Sequence, residues 1–238
     1  MAANLRAVTS RIEDAAAGCA RDPRTITLVA VTKTWPASDV RLLSGLGVRH
    51  IGENQDREAS AKAAALADLP EPPHWHFVGT LQRNKAASVA RYADLVHSVD
   101  RAALVTALSR AAVAAERTVS CLIQVSLDAD PRRGGVPADG LLSLAGAVAE
   151  APGLHLGGVM AVAPLDLPAE RAFARLAGLS ARLRADHPQA TAMSAGMSGD
   201  LEAAVAAGAT HLRVGSALLA GRPLPGHAHV PVPQGRAV

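Results

Sequence analysis

The feature that most limits the folds open to this chain is a β-then-α rhythm repeated eight times within 238 residues. After a leading helix over about 3–20, the run 26–32 is rich in β-branched and aliphatic side chains and ends at Lys33. Pro36 suits a first helical turn, and Gly47 closes the helix. Further strands are expected at 48–52, 74–79, 95–99, 119–127, 154–162, 189–195 and 211–215, each followed by helical spacing. The run 119–127 is almost continuously apolar, as for a strand buried on both faces, whereas 189–195 is the weakest. The helix after the fourth strand begins near Asp100, a good N-cap, and Ser216 opens a short last helix.

Eight such units in one domain-sized chain predict an α/β fold: a single (β/α)8 TIM-type barrel over 1–222 with an extra N-terminal helix. The proline-rich residues 223–238 read as an extended C-terminal tail. A doubly wound sheet shares the rhythm, because periodicity does not reveal closure. No G-x-G-x-x-G follows the first strand, which weakens a dinucleotide-binding reading.

Composition excludes several classes of function. The net charge of +3 comes from interleaved signs without a basic block, and five aromatic residues leave few stacking platforms for nucleic acid. Cys19 and Cys121 have no CxxC or metal-ligand spacing and read as buried free thiols of a reducing compartment. Arg6, Arg11, Glu13 and Asp14 interrupt any signal-peptide apolar region, and no apolar run approaches the ~20 residues of a membrane span. The expectation is a soluble cytoplasmic protein with no nucleic-acid or membrane partner. His227 and His229, in a tail without further ligands, give no metal site.

In a barrel, chemistry sits at the C-terminal ends of the strands. There the sequence places Lys33, Gly52-Glu53-Asn54, Gly79, the 128–135 loop, Met160, the segment Ser194–Asp200 and Arg213–Ser216. The chain has 52 alanines, and only three of its 24 basic residues are lysines, so each lysine is informative. Arginine can replace a surface lysine but cannot supply a nucleophilic amine. Lys62, in an alanine-rich helix, reads as a solvated surface charge, and Lys85 acquires no derived role. Lys33 can form a Schiff base with a carbonyl if it is not locked as ammonium; equally, it can pair with a carboxylate at a strand end.

Ser194-Ala195-Gly196-Met197-Ser198-Gly199-Asp200 and Gly215-Ser216 follow strands seven and eight, the recurrent phosphate position of this fold. Their glycines permit close approach and their hydroxyls donate, although Ser198 and Ser216 would also serve as plain helix caps. Arg213 alternates with Leu212 and Val214, so it either enters the barrel mouth or forms a buried ion pair. A lysine, a phosphate cradle and a cation together suit pyridoxal 5′-phosphate.

These residues lie in motifs that span Leu28 to about Gly221. They read Ala30-Val31-Thr32-Lys33-Thr34, Gly52-Glu53-Asn54, and Trp75-His76-Phe77-Val78-Gly79 with Leu81-Gln82 and Asn84-Lys85. They continue as Gly158-Val159-Met160-Ala161, Gly196-Met197-Ser198-Gly199-Asp200 with Glu202-Ala203-Ala204, and Arg213-Val214-Gly215-Ser216. In this order they closely resemble the pyridoxal phosphate homeostasis proteins, which share the fold of the alanine racemase N-terminal domain. The resemblance implies that Lys33 holds the cofactor as an internal aldimine. It also implies that Ser198, Gly215 and Ser216 contact the phosphate and that Arg213 faces the pyridine nitrogen. Asn54, His76, Met160, Ser194, Gly196 and Met197 complete the expected cofactor surroundings, with a satisfied core histidine an equal reading of His76. The chain departs from the family pattern at Trp35, Thr80 and Gly199.

An arginine beside the pyridine nitrogen disfavours its protonation and weakens the ring as an electron sink. A two-base racemase further needs a tyrosine from a C-terminal domain, and Tyr92 falls at a helix end away from the strand termini. The sequence therefore points to a monomeric, non-catalytic protein that holds pyridoxal phosphate and delivers it, with apo-enzymes as recipients. A weak amino-acid racemase, lyase or transaminase is the enzyme alternative, and a cofactor-free lysine aldolase is a third class.

Overall fold

The computed structural model describes residues 1–128, 130 and 133–222, so the expected tail at 223–238 lies outside the described residues. Eight parallel strands close into a barrel in chain order: β1 (Thr27–Val31), β2 (His50–Glu53), β3 (His74–Phe77), β4 (Leu95–Val99), β5 (Val119–Gln124), β6 (Leu154–Met160), β7 (Ala192–Ser194) and β8 (His211–Val214). Closure comes from β8 pairing with β1, where Val29 lies opposite Arg213 and Ala30 opposite Val214. The open doubly wound alternative is thereby excluded.

Around the sheet run α2 (Ala37–Gly45), α3 (Asp56–Ala65), α4 (Ala86–Tyr92), α5 (Ala102–Ala114), α6 (Leu141–Ala149), α7 (Ala169–Asp186), α8 (Leu201–Ala206) and the single turn α9 (Ser216–Leu219). The extra helix α1 (Ala2–Gly18) is present. Its Arg11 pairs with Glu202 of α8 at 2.7 Å and donates to the Ser198 carbonyl, while Asn4 donates to the carbonyls of Leu218 and Ala220. The added helix thus braces the loops that follow β7 and β8. Strand five stops at Gln124 rather than 127, because Val125 turns to bridge Val136. Asp100 does not cap α5; its carboxylate holds the side chain of Arg101, which occupies the cap position.

Strand alternation divides the side chains between two cores. Ile51, Trp75, Phe77, Val96, Ile123, Met193, Leu212 and Val214 face the helices in one large apolar shell. Inside the barrel, Leu95, Leu122 and Met160 form one small apolar cluster, with Ala192 against them. Val29, opposite Arg213 on the neighbouring strand, is also fully buried. Beside these, the interior holds the polar side chains of His76, His97, Ser194 and Arg213, all almost fully buried. Branched aliphatic layers normally fill this space.

One correction concerns Lys62, expected as a solvated charge. Lys62 is 4 % exposed and lies between α3 and the sheet. Its Nζ donates to Glu53 Oε1 at 2.6 Å, to the Thr32 carbonyl at 2.8 Å and to Glu58 Oε1 at 3.0 Å. The Thr32 hydroxyl donates to the same Glu53 oxygen at 2.5 Å. Burial pushes the Glu53 carboxyl upward, and the bonds from Lys62 and Thr32 pull it back. This pair ties α3 to the ends of β1 and β2, one residue before Lys33.

Removing one partner of a buried ion pair strands the other. Lys62→Met should therefore cost about 3–5 kcal/mol in urea unfolding at pH 7. The double replacement with Glu53→Gln should recover most of that loss. A single-variant loss below about 1 kcal/mol, the scale of an exposed pair, would contradict a structural role for it.

Candidate functional site

The C-terminal ends of the strands surround a cavity of about 610 Å³. Eight expected site residues line it: Lys33, Asn54, Met160, Met197, Ser198, Arg213, Gly215 and Ser216. Local backbone geometry explains several of these placements. The Trp35 amide donates to the Thr32 carbonyl at 3.0 Å, closing a tight turn with Lys33 and Thr34 at its centre. Thr34 holds φ +69°, a left-handed conformation that a β-branched residue rarely adopts. At Gly215, an added Cβ would approach the Val31 carbonyl to 3.0 Å, so glycine lets the turn after β8 press against β1. The Ser198 hydroxyl accepts from the Ala217 amide at 3.2 Å, which joins the loop after β7 to α9.

Charge in the cavity is one-sided. Among the described residues, its ionisable lining consists of Lys33, Arg133 and Arg213. Arg133 was not singled out in the sequence, although the 128–135 loop lay at an expected strand end. Lys33 is exposed in the cavity mouth and makes no hydrogen bond or ion pair among the described residues. The strand-end carboxylate pairing open to it in the sequence is thus not made.

Arg213 is 6 % exposed. Its guanidinium donates to Ser194 Oγ at 2.6 Å and to the Ala161 carbonyl at 2.9 Å. No carboxylate bonds it among the described residues, and burial lowers its pKa to about 10, opposed by the charge of Asp200. It remains a cation at neutral pH.

Three expected site residues do not line the cavity. Ser194 lies beneath it, as the partner of Arg213. Gly196 holds φ +86°, and an added Cβ would meet Ala204 at 2.6 Å, so glycine lets the loop pack on α8. His76 takes the core-histidine reading that the sequence also left open. It lines a separate pocket of about 340 Å³ at the opposite mouth, together with His50, His74, Asp94, His155 and His211. His76 bonds His50 on one side and His97 on the other, each at 2.9 Å. His97 in turn meets Ser194 Oγ at 2.9 Å. Neither His50 nor His97 was singled out in the sequence. The available signal was a histidine at an inward position in each of three successive strands.

The alanine racemase N-terminal domain family matches residues 3–223. A pyridoxal phosphate homeostasis protein from Mycobacterium tuberculosis H37Rv is 46 % identical over 238 residues, with 92 % of each chain covered. The chain belongs to the pyridoxal phosphate homeostasis protein family. Among solved structures, PipY of Synechococcus elongatus without PLP superposes with a TM-score of 0.82 at 36 % identity, covering 92 % of this chain and 99 % of that one. The same protein with PLP bound gives 0.77 at 37 % identity, covering 87 % and 99 %. No helix among the described residues is long and apolar enough to cross a membrane.

The buried histidines give this family member a defined acid response. Burial lowers the pKa of His76 and His97 well below the ordinary value and that of His211 to about 4. In the unfolded chain these rings titrate near pH ~6.5. The unfolded state therefore binds more protons between the two values, so the stability from neutral rings is complete above about pH 6.5 and is lost as pH falls. Each ring contributes up to about 1.4 kcal/mol of loss per pH unit in that window. Urea unfolding at pH 7 and pH 5 should show a fall of several times that slope. An unchanged midpoint would mean that the rings are not held neutral.

Proposed function

We propose that this chain binds pyridoxal 5′-phosphate in the upper cavity and holds it reversibly for delivery to apo-enzymes. The observation that carries this reading is the contrast among the three lysines. Lys62 is buried in an ion pair and Lys85 faces Asp56 at 3.9 Å, whereas Lys33 bonds to nothing among the described residues, in a cavity whose other described ionisable residues are arginines.

The donor set suits a phosphorylated aldehyde. Lys33 and Arg213, neither paired with a carboxylate among the described residues, complement a dianionic phosphate, whereas Arg133 is paired with Asp128 at 3.3 Å. The Ser198 and Ser216 hydroxyls with the close-packed Gly215 turn offer a cradle for the phosphate. Arg213 supplies a fixed donor for a ring nitrogen. The Asn54 side-chain oxygen is buried against the cavity without a hydrogen-bond partner, so it is available to a ligand donor. Lys33 would supply the amine that condenses with the cofactor's aldehyde, releasing water, in a bond that water or another amine could reverse.

The same residues favour holding over turnover. Arg213 beside the ring nitrogen would disfavour its protonation and so weaken the ring as an electron sink. Proton transfer at two faces of a substrate needs a second base opposite Lys33. Tyr92 does not line the cavity; its phenol is pushed upward by burial and by the charges of Asp56 and Glu53. The exposure of Lys33 suits handover to a second protein.

Protein incubated with pyridoxal phosphate and then desalted should be yellow. Lys33→Ala should lose that absorbance band, and retained colour would reject the covalent assignment. The holding role fails separately if amino acids incubated with the loaded protein in deuterated water exchange their α-proton at an enzymatic rate.

A further inference from the structure

Two cavities at opposite mouths of the barrel are joined by an unbroken line of side chains. From the lower mouth it runs His50 Nδ1 to His76 Nε2, His76 Nδ1 to His97 Nε2, and His97 Nδ1 to Ser194 Oγ, each at 2.9 Å. It ends where the Arg213 guanidinium donates to Ser194 Oγ at 2.6 Å. The rings come from β2, β3 and β4, and the serine from β7, so the line crosses the barrel interior.

The chemistry of the last link fixes the direction of all the others. A guanidinium only donates, so the Ser194 oxygen accepts from Arg213. The hydroxyl proton of Ser194 then has one recorded acceptor, Nδ1 of His97. A neutral imidazole that accepts at Nδ1 carries its proton at Nε2. His97 therefore donates from Nε2 to His76 Nδ1, and His76 donates from Nε2 to His50 Nδ1. His50 is left with its own Nε2–H, on the ring that lines the lower pocket. The opposite tautomer of His97 would turn two donors onto Ser194 and leave its hydroxyl proton without a partner. A protonated His97 would do the same and add a positive charge beside the guanidinium.

We infer that His97 is a positioning residue for Arg213, acting through Ser194, and that the line His50–His76–His97–Ser194 has a single polarity that holds the guanidinium as a fixed donor at the cofactor face. This inference rests on the proposed function, because it assigns the lower half of the barrel a part in setting the electrostatics of that same site. The other titratable groups facing the line are His74 on β3, Asp94 before β4, His155 on β6 and His211 on β8. His211 sits 6.1 Å from His76 and 6.3 Å from His97 by ring centroids, so its protonation would also oppose any charge on the line. Burial keeps the rings of the line neutral at physiological pH, which a fixed polarity requires.

The test has two arms. Long-range proton–nitrogen spectra of histidine-labelled apo-protein report the tautomer of each ring without any cofactor. His50, His76 and His97 should all be neutral Nε2–H tautomers at pH 7, and His97 should stay so at pH 5.5. A Nδ1–H or protonated His97 would overturn the assignment. In the second arm, the visible band of the pyridoxal phosphate-loaded protein is titrated with pH.

Ser194→Ala and His97→Leu should each move the band's midpoint by about one pH unit, a tenfold change in proton affinity. His97→Gln, whose amide can accept from Ser194 and donate to His76, should restore the wild-type profile. Unmoved midpoints in both broken variants would overturn the positioning role. A wild-type protein that stays colourless would instead reject the proposed function, and the apo-protein spectra would then decide the polarity of the line by themselves.

Discussion

The hydrogen-bonded seam between β1 and β8 is the constraint on which the site depends. Thr27, Leu28, Val29 and Ala30 pair in register with His211, Leu212, Arg213 and Val214, which joins the first strand of the barrel to the last. Lys33 follows one strand and Gly215-Ser216 the other, so closure alone makes them neighbours. The register also settles which side chains face inward: His211 and Arg213 enter the interior, while Leu212 and Val214 join the outer shell. A slip of one residue would exchange the two sets and put the guanidinium among the helices. The tight fit of Gly215 against the Val31 carbonyl belongs to the same seam.

Placing a guanidinium inside a barrel sets the terms for everything beneath it. Its hydrogen-bond acceptors are neutral, a hydroxyl and a backbone carbonyl, so its charge is not cancelled by direct pairing with a carboxylate among the described residues. A positive potential is left facing the cavity, which suits an anionic ligand. Groups below must satisfy Ser194 without adding charge of the same sign. Neutral imidazoles meet that need, because each both accepts and donates. The apolar cluster of Leu95, Leu122 and Met160 then fills only one part of the interior. Polar filling of a barrel core is stable only when its members are mutually bonded.

Much of the architecture was legible because the eight units repeat one pattern and strand ends in this fold carry the chemistry. Position alone brought Lys33, Arg213 and the two serine-glycine loops to the barrel mouth, but left open whether Arg213 and Lys33 pair with carboxylates. Lys62 was misread for a physical reason. Glu58 stands four residues before it, the usual spacing of a solvated helical pair, and alanines surround both. What the spacing conceals is Glu53, a carboxylate at a strand end turned toward α3 and in need of a cation. The histidine line was hidden because its members lie on separate strands, and barrel stagger brings them together. His76 carried the family motif, yet only closure shows that its ring lies with the lower pocket.

Lys33 and Lys62 make complementary use of the same amine. Thr32 is fixed at every polar atom: its amide donates to the Gly52 carbonyl, its hydroxyl to Glu53, and its carbonyl accepts from Trp35 and Lys62. Such over-determination is what a left-handed Thr34 requires, since strain of about 1–3 kcal/mol persists only where the surroundings enforce it. The backbone of the turn is thus held rigidly by a buried lysine, while the side chain it presents bonds to nothing among the described residues. The amine proposed to hold the cofactor would benefit from both conditions. Rigidity of the backbone aims the side chain into the cavity, and no carboxylate among the described residues bonds it there. In the cavity, arginine could not supply the amine the proposed function requires.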